Sequence, residues 1–233
     1  YFVSRDALFK KPFNFLRLGI PFAIDFYHGN IFSDSAYLKY LRLFSGESLR
    51  RRKRFLIRVS NTKMYDLLHN SSLNIPIHMI PIPVDTSCFH PQSFSQRNTV
   101  RHNIGASSNS FVIGSFQKDG IGWQKGMSPK LVKGPDIFLS TLSHLKSRTM
   151  RPLFVLLTGP SRGYIKEGLR SLGIPFYHTY LNSSSELPSF YSALDVYCVT
   201  SRDEGGPKAI LESMACGIPI VSTKVGQAPD IIE

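Results

Sequence analysis

The chain has 233 residues, 42% of them hydrophobic, which is enough for one large domain or two small ones and excludes global disorder. Lys and Arg number 28 against 16 Asp and Glu, and the net charge of +12 favours anionic partners: a nucleotide diphosphate, an anionic lipid or a nucleic acid. Cys88, Cys198 and Cys216 form no close pair, which argues against a disulfide framework or a zinc site and fits a reducing, cytoplasmic compartment.

The first residue is Tyr1, and the last, from Pro229 to Glu233, read like a helix opening without an end. A fragment cut at both ends is therefore expected. No signal peptide is visible, and no apolar run approaches the ~20 residues of a membrane span.

Phe22 to Tyr27 predicts a strand, with His28-Gly29-Asn30 in a turn after it. Residues 34–56 mix apolar and basic positions at helical spacing. Within them, Arg50-Arg51-Arg52-Lys53-Arg54 reads as a solvated helix face or as a peripheral contact with phospholipid or an acidic acceptor. Nucleic acid is not expected, because no aromatic-interleaved basic motif lies nearby. Ser60-Asn61-Thr62 offers a helix N-cap before Lys63 to Leu68. Ile75 to Ile80 predicts a short strand. Pro81, Pro83 and Pro91, with polar residues up to about 109, predict a linker.

From residue 111 strands and helices alternate. Strands are predicted at 111–116, 152–157, 175–180, 196–200 and 219–223, and helices at 134–147, 162–172, 185–193 and 207–216, with another beginning near Pro229. Gly217 is placed as a C′ residue. The strand runs are continuously apolar, as expected when both faces are buried, so the fold class is α/β with a doubly wound parallel sheet. Such sheets bind ligands beyond the carboxyl ends of their strands. The domain boundary is expected near 82, with a partial domain at 1–82 and a ligand-binding domain at 83–233.

The most informative stretch is Glu204-Gly205-Gly206-Pro207-Lys208-Ala209-Ile210-Leu211-Glu212. It follows a predicted strand and opens a helix. Gly205 and Gly206 allow close backbone approach to a ligand. Pro207 suits a first helical position, and the free amides behind it favour an anion. Lys208 opposes the helix dipole unless a bound anion offsets it. Glu204 from the loop and Glu212 from one turn inside the helix can frame that anion, an arrangement suited to a diphosphate with hydroxyls on either side. An ordinary helix start with acidic residues near its positive end is the alternative.

The segment from Ser201 to Thr223, SRDEGGPKAILESMACGIPIVST, resembles the Glu-x7-Glu signature of retaining GT-B glycosyltransferases, the large group 1 (family 4) set. The resemblance implies a GT-B fold: a Rossmann-like donor domain plus the C-terminal part of a second Rossmann-like, acceptor-side domain. It implies that Glu204 contacts the donor sugar and Glu212 the nucleotide ribose. It places the amides of Gly205, Gly206 and Gly226, the last in the Gly226-Gln227-Ala228-Pro229 turn, along the diphosphate. Lys118 and Lys133 match the family's basic pair, with Lys in place of a common Arg and with Gly120 to Gly126 inserted between them, so that Lys125 or Lys130 can stand in for one of the pair. Two cations stabilise a leaving diphosphate without a metal, and no Asp-x-Asp motif is present, so no metal and no cofactor beyond the nucleotide-sugar co-substrate is expected. His28 resembles the family's acceptor-side histidine, with an ordinary loop or buried histidine as the alternative. The acceptor is expected to be a carbohydrate or a lipid-linked sugar.

Competing motifs carry less. Gly120-x-Gly122-x-x-x-Gly126 lacks the dinucleotide spacing. Gly159-Pro160-Ser161-Arg162-Gly163 fits a nucleophile elbow, but no acid-then-histidine order follows, which leaves Ser161 as a helix cap or phosphate-loop residue. Trp123 either stacks on a base or sugar or anchors its loop. The expected activity is transfer of a sugar from a nucleotide-diphosphate sugar with retention. The alternatives are a related epimerase or phosphorylase, and a basic scaffold without catalysis.

Overall fold

The structure, a computed structural model, describes residues 2–4, 22–26, 55–71 and 75–233. The chain divides into two compact units. One comprises 1–82, 203–207 and 224–233, and the other 83–202 and 208–223.

The first unit carries a parallel sheet of β1 (Phe2–Ser4), β2 (Phe22–Phe26), β3 (Phe55–Val59) and β4 (Ile77–Met79), in that order. Helix α1 (Thr62–His69) follows β3. Asn61 caps it, its side-chain oxygen accepting from the Met64 amide at 3.0 Å. Met64 and Leu68 on its inner face join Phe26, Ile57, Val59 and Ile75 in one apolar cluster. The strand at 55–59 corrects the helical reading that ran to residue 56. Here Ile57 and Val59 point into the core while Leu56 and Arg58 are half-buried, the period of two of a strand.

The second unit is a five-stranded, all-parallel sheet: β5 (Phe111–Phe116), β6 (Leu153–Thr158), β7 (Phe176–Thr179), β8 (Val196–Val199) and β9 (Ile220–Ser222), in the order β7-β6-β5-β8-β9. Every residue of β6 is buried, which explains its unbroken apolar run. Helices α3 (Pro135–Lys146) and α4 (Gly163–Ser171) cover it, packing Phe138, Leu142, Ile165 and Leu169 on Val155 and Leu157. Short α5 (Leu187–Ser192), α6 (Lys208–Ala215) and α7 (Ala228–Ile231) lie near the predicted positions. Gly217 has φ 72°, as its place after α6 requires. Among the described residues, no helix is long and apolar enough to cross a membrane.

Helix α2 (Phe94–Asn103) overturns the linker reading of 81–109. Its start is a capping box: the Ser93 hydroxyl accepts from the Gln96 amide, and the Gln96 side chain accepts from the Ser93 amide at 2.9 Å.

Candidate functional site

In the second unit the strand order reverses between β5 and β8. Consecutive strands step one way from β5 to β7 and the other way from β8 to β9. Open parallel sheets leave their ligand crevice at such a switch point, beyond the carboxyl ends of the flanking strands. Here those ends are Gln117-Lys118-Asp119 and Thr200-Ser201-Arg202. Lys118 therefore sits at the mouth of the switch point, with its Nζ 3.6 Å from the centroid of the Trp123 ring. Trp123 is 78% exposed. Its contact with Lys118 is neither of the two roles open to it in the sequence.

Lys133 reaches the same place from the other side. The short turn Leu131–Lys133 ends at Gly134, whose φ is 62°. A Cβ on Gly134 would collide with the Thr200 carbonyl oxygen, so only glycine lets α3 begin against the end of β8. The Thr200 hydroxyl donates to the Gly134 carbonyl at 2.9 Å, the Arg202 amide to the Val132 carbonyl at 2.8 Å, and Gln117 Nε2 to the Lys133 carbonyl at 3.2 Å. Arg202 then closes a two-pronged pair on Asp136, with Nη1–Oδ1 at 2.8 Å and Nη2–Oδ2 at 2.6 Å. Both cations of the predicted pair are thus mounted on the switch point by their backbones.

Glu212 lies on α6. Tyr191 donates its hydroxyl to Glu212 Oε2 at 2.9 Å, in an aromatic cluster with Phe116 and Tyr197. Burial pushes the Glu212 carboxyl above the ordinary carboxylate range, and the Tyr191 hydrogen bond and Lys208 pull it partly back. Lys208 opens α6 and is exposed.

Glu204, Gly205 and Gly206 belong to the first unit, as does Gly226. Glu204 is half-buried and Gly205 buried. Two donors fix the Gly205 carbonyl, Ser60 Oγ at 2.7 Å and Asn61 Nδ2 at 2.7 Å. Gly226 has φ 52°, and a Cβ there would lie 2.8 Å from Gly205 C and Gly206 N. The two glycine turns are in backbone contact, which no side chain at 226 permits. His28 and the run from Arg50 to Arg54 lie outside the described residues.

The glycine-rich insertion and the Ser161 motif have one structural explanation. The amides of Gly163 and Tyr164, at the start of α4, donate to the carbonyls of Lys125 at 2.7 Å and Gly126 at 3.0 Å. The Ser161 hydroxyl donates to the Gly122 carbonyl at 2.8 Å, and Ser161 has φ 58°. Ser161 is therefore neither the helix cap nor a phosphate-loop residue expected of it. Arg162 takes the N-cap position without a side-chain cap, and the first amides of α4 are already taken by the inserted loop. A Cβ on Gly126 would sit 2.6 Å from Ser161 Cα, so these glycines serve close packing rather than a dinucleotide. His178 holds the Gly159 carbonyl through Nε2 at 2.8 Å, away from any pairing with the Ser161 hydroxyl.

Sequence reasoning missed Arg162. Its side chain is 0% exposed, and its Nη1 donates to the carbonyls of Ser115, Gln117 and Thr158 at 2.8, 2.7 and 2.9 Å. Its Nε stands 3.1 Å from Asp119 Oδ1, at ion-pair distance but off the direction of a hydrogen bond, so Asp119 compensates charge rather than accepting a directed bond. Arg162 and Asp119 brace both sides of Lys118. The only sequence signal was a basic residue inside an apolar strand–helix junction.

The glycosyl transferases group 1 family model matches residues 128–233. The lipopolysaccharide core biosynthesis mannosyltransferase LpsB of Rhizobium meliloti (strain 1021) is 24% identical over 168 residues, covering 69% of this chain and 44% of its own. A D-inositol 3-phosphate glycosyltransferase of Corynebacterium jeikeium (strain K411) is 27% identical over 189 residues, covering 76% and 43%. The chain thus spans less than half the length of these curated relatives. The crystal structure of Anabaena Alr3699/HepE in complex with UDP and glucose superposes with a TM-score of 0.72 at 20% identity, over 100% of this chain and 61% of that one. That likeness fixes the fold as GT-B. Carrying the motif helix, the parallel sheet and its switch point inside the matched architecture, the chain is similar to the glycosyl transferases group 1 proteins, the family whose model its residues 128–233 match.

Proposed function

We propose that the protein transfers a sugar from a nucleotide-diphosphate sugar to a carbohydrate or lipid-linked acceptor, with retention of anomeric configuration. The observation that carries the reading is the mounting of Lys118 and Lys133 at the switch point of a parallel sheet, in a chain whose residues 128–233 match the group 1 family model. Lys118 and Lys133 hold the diphosphate and stabilise the charge that develops as it leaves. Glu212 takes the nucleotide ribose through Oε1, with Oε2 engaged by Tyr191. Glu204 takes the sugar, the amides of Gly205, Gly206 and Gly226 line the phosphates, and Lys208 adds positive charge. His28 acts on the acceptor side. In the transfer the acceptor hydroxyl oxygen bonds the anomeric carbon, the bond from that carbon to the diphosphate oxygen breaks, and the hydroxyl proton passes to the leaving phosphate on the same face. No metal takes part. Arg50 to Arg54 supply a peripheral contact with anionic lipid.

UDP-bound HepE makes UDP the first ligand to try. Calorimetry with UDP, GDP and ADP, set against duplex DNA and anionic vesicles, tests the reading. Binding of one nucleotide supports it, and binding of DNA or vesicles with no nucleotide defeats it. Glu212→Ala is expected to weaken nucleotide binding about ten-fold, the loss of charge-assisted hydrogen bonds to the ribose. Glu204→Ala is expected to leave nucleotide affinity near wild type and to alter sugar choice. The reverse ranking would remove the assigned roles.

A further inference from the structure

The inserted segment that follows Lys118 is a held loop. The Ile121 amide donates to the Ser128 carbonyl at 2.9 Å and the Lys130 amide to the Asp119 carbonyl at 2.7 Å, which closes the segment into a hairpin. The start of α4 binds its Lys125 and Gly126 carbonyls, and a Cβ on Gly120 would collide with the Ser161 carbonyl oxygen. None of these ties uses Trp123, whose ring is left 78% exposed and so adds little burial to the fold. What the ring does touch is the Lys118 ammonium, 3.6 Å from its centroid. The hairpin therefore carries its one aromatic ring to a cation at the mouth of the switch point.

The charges beside the ring are sorted. Asp119, the adjacent carboxylate, is 1% exposed and turned to Arg162. Among the described residues no carboxylate forms an ion pair with Lys118. A carboxylate would steady the ammonium but cancel the charge that an incoming anion has to find. An aromatic ring attracts the cation through its quadrupole and leaves the charge in place. It covers one side of the ammonium and leaves N–H donors free on the other. The lysine stem is flexible, and fixing it before a ligand arrives cuts the ordering cost of binding. We propose that Trp123 is a positioning residue for Lys118, holding the ammonium ready for the diphosphate of the nucleotide donor. The inference rests on the donor reading given above, and both residues belong to the second unit.

Trp123 is the only tryptophan of the chain, so its fluorescence reports the contact without any ligand. Lys118→Met is expected to alter the emission of the ligand-free protein, and unchanged emission overturns the proposal. Titration calorimetry with UDP, GDP and ADP then compares wild type, Trp123→Leu, Trp123→Phe, Lys118→Met and the double variant Trp123→Leu/Lys118→Met. Trp123→Leu is expected to melt near the wild-type temperature, because the ring is largely exposed. It should bind the nucleoside diphosphate about two- to five-fold more weakly, which is what an exposed cation–π contact supplies. Trp123→Phe should recover part of that loss. In the Lys118→Met background, Trp123→Leu should make no further difference. Trp123→Met, alone and with Lys118→Met, carries the same comparison should the Leu variant fail to fold. A ring that stacks on the base, or serves the fold alone, would weaken binding equally with and without Lys118. That result, or no weakening at all, overturns the role of Trp123 and leaves the donor reading standing. A wild type that binds none of the three nucleotides removes both.

Discussion

Arg162 illustrates how a single buried charge can set a site it does not enter. Its guanidinium collects three carbonyls and the Ser115 hydroxyl, and Asp119 balances its charge. Removing one partner of a buried pair typically costs about 3–5 kcal/mol. Arg162→Met is expected at the upper end, because it strands the Ser115, Gln117 and Thr158 carbonyls as well as Asp119. Asp119→Asn is expected to cost less, since Arg162 keeps its carbonyls. A urea-melt double-mutant cycle should show a coupling of about 1–3 kcal/mol between the two. Independent effects would mean that Asp119 does not compensate Arg162. His178, on strand β7, offers a pH readout. Burial holds its pKa below the ordinary 6.5, against the pull of its bond to the Gly159 carbonyl. Between the two values the unfolded chain binds a proton that the folded chain refuses. The neutral ring's contribution is therefore present in full above about pH 6.5 and is lost as the pH falls below it. Melting temperature should drop between pH 7.5 and 5.5, and His178→Gln should flatten that slope. Equal slopes in both proteins would dismiss the ring as the cause. Arg162 was not legible as a singular residue, because its meaning lies in what surrounds it; in the sequence it read as one position of a serine motif.

At the scale of elements, legibility followed apolar periodicity. Strands β5 to β9 were visible because each is a short apolar run bounded by turn residues, and α3 and α4 because they alternate buried and exposed positions. Helix α2 carries no such stripe. Its sequence is FSQRNTVRHN, and the one residue it buries is Arg101. It is held instead by charge. Arg97 and Arg101 grip the two oxygens of Asp195 at 2.7 and 2.8 Å, and the Val112 amide donates to the same carboxylate at 2.8 Å. The capping box at Ser93 was present in the sequence, but the three prolines before it suggested a linker. Strand β3 was hidden for the opposite reason, since the basic run ahead of it shares its apolar residues with a helical frame. Asp195→Asn is expected to cost about 2–4 kcal/mol, leaving Arg101 buried beside a neutral amide. Ser93→Ala is expected to cost about 1 kcal/mol. Chemical denaturation would rank the two. A Ser93 effect larger than that of Asp195 would show α2 to be held by its cap rather than by its arginines.

For the molecule as a whole, the doubly wound sheet was legible before any coordinates, because continuous strand runs imply burial on both faces and hence a parallel sheet, whereas its switch point depends on a strand order that only the structure gives. The pairing of the 203–207 and 224–233 segments with the first unit was not, because it depends on contacts such as that of Ser60 with Gly205, made across 145 residues of sequence. Charge gives the last prediction. The net charge of +12 is a property of the whole chain, but screening acts on it site by site. A nucleoside diphosphate supplied at ~100 times its Kd stabilises a protein by about 2.7 kcal/mol, which for a chain of this size raises the melting temperature by roughly 5–10 °C. If Lys118 and Lys133 contact the diphosphate, raising the salt from ~0.05 to ~0.5 M at fixed ligand should shrink that increment. The double variant Lys118→Met/Lys133→Met should begin with a smaller increment and lose little more of it to salt. An increment in the double variant that is as large as in wild type, and as steep in salt, would mean that the diphosphate is held elsewhere in the basic surface.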